Sequence, residues 1–115
     1  MADSFYPSEV YPVSSYVCGE YGGSLSYDPF RMILDEAHAL GLSVHAWINP
    51  LRAMRDGEIE SVDDGFLIKE WYGDERRNDY IVNVSGRWYL NPAYNEVRAL
   101  VSSGVTEIVR NYNVD

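Results

Sequence analysis

Apolar residues recur at helical spacing in two stretches of this chain, and between them lie an alternating run and a charged excursion. In the first stretch, Phe30, Ile33, Leu34, Ala37 and Leu40 fall on one stripe, with Arg31, Asp35 and Glu36 away from it. That spacing predicts an amphipathic helix. Asp28 is placed to cap it, Pro29 suits its first position, where the missing N–H costs nothing, and Gly41 suits its end. In the second stretch, Val97, Leu100, Val101, Val105, Ile108, Val109 and Tyr112 form a wide stripe that predicts a helix lying on a sheet. Asn95 is the expected cap, and Glu96 favours the positive end of the helix. Gly104 inside it loses about 1 kcal/mol of helix propensity relative to Ala and marks a site of close packing.

Leu42 to Ile48, directly after Gly41, reads as a strand stopped by Pro50. Alternation puts Leu42, Val44, Ala46 and Ile48 on one face and Ser43, His45, Trp47 and Asn49 on the other. Helix, single glycine and strand form half of a βαβ unit, so the expected fold class is α/β. Residues 51–79 read as a long irregular excursion in which Phe66, Leu67, Ile68, Trp71 and Tyr72 build one short buried turn or helix. Tyr80–Val84 and Arg87–Leu90 flank Ser85-Gly86, which predicts a two-residue hairpin. Residues 1–27, punctuated by Pro7, Pro12, Gly19, Gly22 and Gly23, show no period and read as loop. A loop that long is functional, disordered, or a sign of a chain cut from a larger unit.

The charge balance narrows the partners. Eighteen acidic against 9 basic residues give a net charge of −9, and eight of the nine cations are Arg. With no basic run, a nucleic-acid or anionic-membrane partner is not expected, because phosphate binding needs clustered cations. No apolar stretch approaches the roughly 18 residues of a membrane span, and the start MADSFYPSEV lacks the pattern of a signal peptide. Cys18 is the only cysteine, which rules out an intramolecular disulfide. Ten Tyr and three Trp suit flat amphipathic ligands such as sugars, and equally suit a core that satisfies its hydroxyls.

Candidate chemistry concentrates on the polar face of the 42–48 strand. Buried parallel strands are normally apolar on both faces. Here His45, Trp47, Asn49 and Arg52 converge at the strand's C-terminal end, where α/β folds bind ligands. The alternative is a hydrogen-bonded core histidine beside a packing tryptophan. Trp88, Tyr89 and Asn91, ahead of Pro92 and a helix start, make a second group, with Trp88 as a hairpin packing residue the competing view. His38, near the end of the first helix, reads as a surface or partly buried histidine. Asn83-Val84-Ser85 is formally a glycosylation sequon and is read as chance. No metal-ligand spacing, phosphate loop or nucleophile elbow is present, so neither metal nor cofactor is expected. Asp63-Asp64, Asp74-Glu75 and Asp79 sit in the charged excursion, where a solvated face explains them; no catalytic pair of carboxylates is assigned.

The runs YPSEV at 6–10, YDPF at 27–30, DEAHALGLSVHAWINPLR at 35–52, WYLNP at 88–92, NEVRALV at 95–101 and IVRNYNVD at 108–115 resemble the glycosyl-hydrolase-like 10 family of bacterial envelope and secreted proteins. The likeness covers nearly the whole chain in order, with residues 53–79 the least familiar part and Leu51 standing where the family commonly has Tyr. It implies a (β/α)8 TIM barrel and, for some members, cleavage of glycan strands, including peptidoglycan stripped of stem peptides. On that basis the chain is expected to be one segment, 1–115, of such a barrel, truncated at both ends. Leu42–Ile48 would be its third strand, flanked by helices 2 and 3, with Val114-Asp115 at the lip of the fourth and a small β-hairpin added. His45, Trp47, Asn49, Arg52, Trp88 and Asn91 would face a carbohydrate, while the catalytic acids lie beyond Asp115. The alternative is a non-catalytic carbohydrate- or protein-binding module. Either way, uncovered strand edges and helix faces lead us to expect a homo-oligomer.

Overall fold

The computed structural model describes residues 2–115. Its element order is α1 (Ser15–Cys18), α2 (Pro29–Ala39), β1 (Arg52–Arg55), a 3-10 turn at Ile59–Ser61, α3 (Leu67–Gly73), a 3-10 turn at Asn78–Tyr80, β2 (Ile81–Val84), β3 (Arg87–Leu90) and α4 (Asn95–Asn111). The radius of gyration is 14.8 Å. A compact chain of this length would give about 13 Å. The excess reflects an elongated shape, 49 × 29 × 25 Å, with apolar clusters toward its two ends.

At one end the three strands form an antiparallel sheet in the order β1-β3-β2. The hairpin forms where the sequence places it. Ser85 and Gly86 have φ of 52° and 80°, the left-handed pair a tight two-residue turn requires. Strand β1 lies in what reads as irregular charged chain. A register shift between Arg52 and Arg55 lets the consecutive residues Ala53 and Met54 both bury. A bulge of this kind destroys the period-2 signal on which strand recognition rests. Ile68 and Trp71 of α3, Ile59, Val62, Ile81 and Leu90 complete the core, and the first half of α4 adds Val97 and Leu100. The Leu90 N–H donates to the Leu51 carbonyl at 2.7 Å, so residues 52–89 leave and rejoin the chain path at one point.

The other end is helical. In α2, Asp28 Oδ1 accepts from the Arg31 N–H at 3.0 Å and Pro29 opens the first turn. Its end closes as a left-handed cap: the Leu42 N–H reaches the Ala37 carbonyl at 2.9 Å, the Gly41 N–H reaches that of His38 at 2.9 Å, and Gly41 has φ of 73°. Leu34, Tyr6 and Tyr112 are buried together, with Phe30, Val44, Ile108 and Val114 packed on them. Asp28 also accepts through Oδ2 from the Tyr112 hydroxyl at 2.5 Å, and the Arg31 guanidinium lies 4.8 Å from the Tyr112 ring centroid, so the start of α2 is fastened to the end of α4. Only part of each apolar stripe is covered. Leu34, Val97, Leu100 and Gly104 are buried, whereas Ile33, Leu40 (77% exposed), Val105 and Val109 face outward.

Three local expectations are corrected. Tyr94, not Asn95, occupies the cap position of α4, and the Asn95 side chain instead accepts from Arg98 within the first turn. Residues 42–49 form no strand ladder. Among the described residues the Asp115 N–H reaches the Val44 carbonyl at 2.8 Å, but a strand is defined by a ladder to its neighbours and one rung does not make one. The 1–27 region is not wholly loop: it contains the short helix α1 and a parallel bridge between Ser4 and Val13.

Candidate functional site

The N-terminal segment is pinned to α4 by one carboxylate. Glu107 accepts from the Ser8 hydroxyl at 2.5 Å and from the Glu9 N–H at 2.7 Å, while Ser8 Oγ accepts from the N–H groups of Val10 and Tyr11. This tight turn lays the Tyr11 ring across α4 at Gly104. A Cβ at Gly104 would stand 2.9 Å from both Cζ and the hydroxyl oxygen of Tyr11, which is why the helix interior holds a glycine. The Tyr11 hydroxyl donates to the Leu100 carbonyl at 3.3 Å. Burial, with the nearby Glu107 charge adding to it, pushes the Tyr11 phenol up to about 12. Tyr6 is raised further by the same two causes.

Between this segment, α4 and residues 45–50 opens a cleft of about 260 Å³. Tyr6, Tyr11 and Phe30 line one side, Val101, Gly104, Val105 and Ile108 the helix side, and His45 to Pro50 the third. Three of the residues singled out in the sequence therefore come together here: His45, Trp47 and Asn49. Trp47 is 92% exposed, its ring free to take a flat partner. Asn49 is engaged within the protein.

The remaining three do not line this cleft. Arg52 opens β1 opposite Tyr89, and its carbonyl accepts from the Ala2 N–H at 2.8 Å. Trp88 packs edge-on against Tyr72, ring centroids 5.5 Å apart, with its Nε1 buried and unpartnered. Asn91 shapes the turn after β3: its Nδ2 donates to the Asp79 carbonyl at 3.1 Å and its Oδ1 accepts from the Ala93 N–H at 3.1 Å. His38, left without a role, is held 2.7 Å from Asp115 Oδ2, which also accepts from the Val44 N–H. These bonds, the backbone one foremost, hold the Asp115 carboxyl below its ordinary value.

One residue of the cleft escaped sequence reasoning altogether. Asp3 lines it, is only 8% exposed, and neither carboxylate oxygen has a hydrogen-bond partner. Burial raises its carboxyl above the ordinary 3.8; the Ser14 hydroxyl opposes this without reaching bonding geometry. No pattern in the sequence marks it, since MADSFYP carries no period and its burial comes from distant residues.

Among the described residues no group of three or more His, Cys, Asp or Glu is placed to hold a metal ion, and no helix is long and apolar enough to cross a membrane. Against known proteins, the family model described as Glycosyl hydrolase-like 10 matches residues 1–115. The chain is 30% identical over 115 residues to Glycosyl hydrolase YngK of Bacillus subtilis (strain 168), covering 99% of this chain and 21% of that protein. It is 33% identical over 115 residues to Glycosyl hydrolase DigH of Escherichia coli (strain K12), covering 97% of this chain and 26% of that protein. The chain thus spans about a fifth to a quarter of the length of these relatives.

Proposed function

Because the chain belongs to the Glycosyl hydrolase-like 10 family, we propose that it supplies the saccharide-contacting part of a glycan-processing site within a (β/α)8-type barrel. The observation that carries this reading is the convergence of His45, Trp47 and Asn49 on one cleft, with the Trp47 ring open to solvent. An exposed indole face stacks on the apolar face of a sugar ring, while imidazole and amide groups take its hydroxyls. Helix α2, its glycine cap, the extended 42–49 segment and α4 follow one another as a helix, strand and helix of such a barrel would. The Asp115–Val44 hydrogen bond is what a fourth strand would begin with when laid parallel to the third. In this reading Arg52 continues the contact surface, and Trp88 and Asn91 hold the loop that follows β3. The parent protein cleaves a polysaccharide, glycan strands of the cell wall among the candidates, with its catalytic carboxylates outside residues 1–115.

Titration with soluble tetrasaccharides, followed through the Trp47 indole N–H by NMR, tests the reading. The wild-type resonance should shift saturably, and Trp47→Ala should weaken binding roughly tenfold or more, as losing a central aromatic contact does. No shift with chitotetraose, cellotetraose or maltotetraose would sink it. A hydrolysis assay of this chain on glycan strands should give no turnover.

A second reading, a non-catalytic module that binds carbohydrate or protein and self-associates, draws on the outward apolar residues Ile33, Leu40, Leu42 and Val109. Light scattering at tens of micromolar should then report a dimer or larger; a monodisperse monomer would remove it.

A further inference from the structure

The outer face of the three-stranded sheet gathers three of the chain's nine cations. Residues directly opposite one another in an antiparallel ladder share a face. Register therefore puts Arg52, Tyr89 and Val82 in one row across β1, β3 and β2, and Arg55, Arg87 and Val84 in the next. Arg52 and Arg55 are three residues apart, a spacing that in a regular strand points to opposite faces. The bulge between them supplies the extra residue that brings both guanidinium groups to the same side, the re-aiming that bulges perform. Arg52, Arg55, Tyr89, Val82 and Val84 are exposed, whereas Ile81 and Leu90 on the opposite face are buried. Elsewhere in the chain, Arg76 and Arg77 are paired with Asp74 and Glu70. Among the described residues no carboxylate forms an ion pair with Arg52, Arg55 or Arg87. Glu58 accepts only from the Arg55 main-chain N–H, and Arg87 Nη1 donates to the Ala53 carbonyl at 2.8 Å, across the bulge. In a chain with 18 acidic residues, arginines aligned on one face and left without carboxylates make a positive patch ready for an external anion.

We propose that this sheet face binds the carboxylates of an acidic polysaccharide, with a sugar ring against Tyr89. The surface is separate from the cleft, and its role does not depend on the saccharide reading of that cleft. Size decides against a protein partner. Two rows set two residues apart on three strands span about 10 by 7 Å between Cα positions, a small part of the roughly 800 Å² that each side of a stable protein interface buries. The donor set decides between anions. Phosphate is commonly cradled by backbone N–H groups at helix starts and nests, whereas β3, at the centre of this face, is paired on both sides. What the face offers is guanidinium forks, whose planar geometry meets a carboxylate through two parallel hydrogen bonds. Tyr89, between Arg52 and Val82 in its row, adds a flat amphipathic ring on which a sugar stacks. The net charge of −9 repels a polyanion, but salt screens exposed charges beyond about 8 Å at physiological ionic strength. The contact therefore forms at close quarters, with modest affinity.

Titration of the chain with tetragalacturonate, followed by NMR through the Arg52 and Arg55 Nε–H groups and the Tyr89 ring, tests the proposal. These resonances should shift saturably. The methyl ester of the same tetrasaccharide keeps the rings and removes the charge, and should bind roughly tenfold more weakly or worse. Replacing both Arg52→Gln and Arg55→Gln should cost roughly tenfold in affinity, since each exposed charged contact is worth about a fewfold. Both side chains are exposed and without carboxylate partners, so this variant should melt at the wild-type temperature. Arg55→Lys keeps the charge, loses the fork, and should fall between the two. No saturable shift, equal binding of the ester, or wild-type affinity in the double variant would each overturn the proposal. Tetraglutamate or tripolyphosphate bound as tightly as the uronate would overturn the polysaccharide assignment and leave an unselective anion face. A shift confined to the Trp47 indole would put the sugar in the cleft, overturning the sheet-face site while the saccharide reading of the cleft stands.

Discussion

The two ends of the molecule hold themselves together differently. The sheet end encloses Trp71, Ile59, Ile68, Leu90 and Val97, all essentially without solvent exposure, behind three strands and two helices. The helical end gathers only Tyr6, Leu34 and Tyr112 as buried residues and leans on polar fastenings: Tyr112 to Asp28, Ser8 and Glu9 to Glu107. Nonpolar burial stabilises by area and tolerates small shifts, whereas these fastenings depend on ionisation state and on angstrom-level geometry. The open cleft belongs to the second kind of region, and ligand sites are commonly drawn from such less enclosed parts of a fold.

Trp71→Ala should be the most damaging single change, costing about 3–5 kcal/mol in urea denaturation, since the ring is fully buried and meets Tyr80 edge-on at 5.3 Å. A cost near 1 kcal/mol would mean the sheet end is no better packed than the other. Tyr112→Phe removes only a hydroxyl from the helical end and should cost about 1.5 kcal/mol, the scale of one hydrogen bond to a charged acceptor. Gly104→Ala sharpens the contrast because two effects oppose each other. Helix propensity gains about 1 kcal/mol, and overpacking against Tyr11 loses about 1–3 kcal/mol. The net should be a modest loss; a clear gain would show that the Tyr11 ring swings off α4 at little cost.

Alkaline pH should separate the two ends without any mutation. Folding raises the phenol groups of Tyr6 and Tyr112 at the helical end furthest above the ordinary 10.0, chiefly through burial, and those of Tyr11 and Tyr80 against the sheet-end cluster less. Groups whose folded pKa is raised lend stability that is complete below the unfolded value and drains away as pH climbs through the folded one. Protection of amides at the helical end should therefore start to fall above pH 10 and continue past 12, ahead of those around Trp71. Simultaneous loss at both ends, followed by hydrogen exchange or NMR, would contradict the distinction.

Much of this was legible in the chain, and the exceptions share a cause. Helix α2 with Asp28 and Pro29 at its start and Gly41 at its end, the Ser85-Gly86 hairpin, and the close contact at Gly104 are written in local residue choice, so periodicity and cap chemistry find them. Strand β1 was hidden because its bulge buries Ala53 beside Met54, and only β3 makes it a strand. Residues 42–49 alternate in sequence, yet alternation does not supply a partner, and no strand forms there. His45, Trp47 and Asn49 line the cleft together with Ala46 and Ile48 of the other expected face, and Asp3 carries no local signal. Its neighbours Ala2 and Ser4 are bonded to Arg52, Pro12 and Ser14, pairings that no local window contains.

The Leu90–Leu51 hydrogen bond has a consequence for how such a chain can vary. Residues 52–89 begin and end at the same place and carry most of their own apolar interior, so they behave as a cassette spliced into the path from the extended segment to α4. Insertions or deletions inside that cassette change its size without moving its two anchoring points, and the cleft keeps its shape. Diversity among related chains should therefore accumulate in the cassette, as new surface beside a conserved opening.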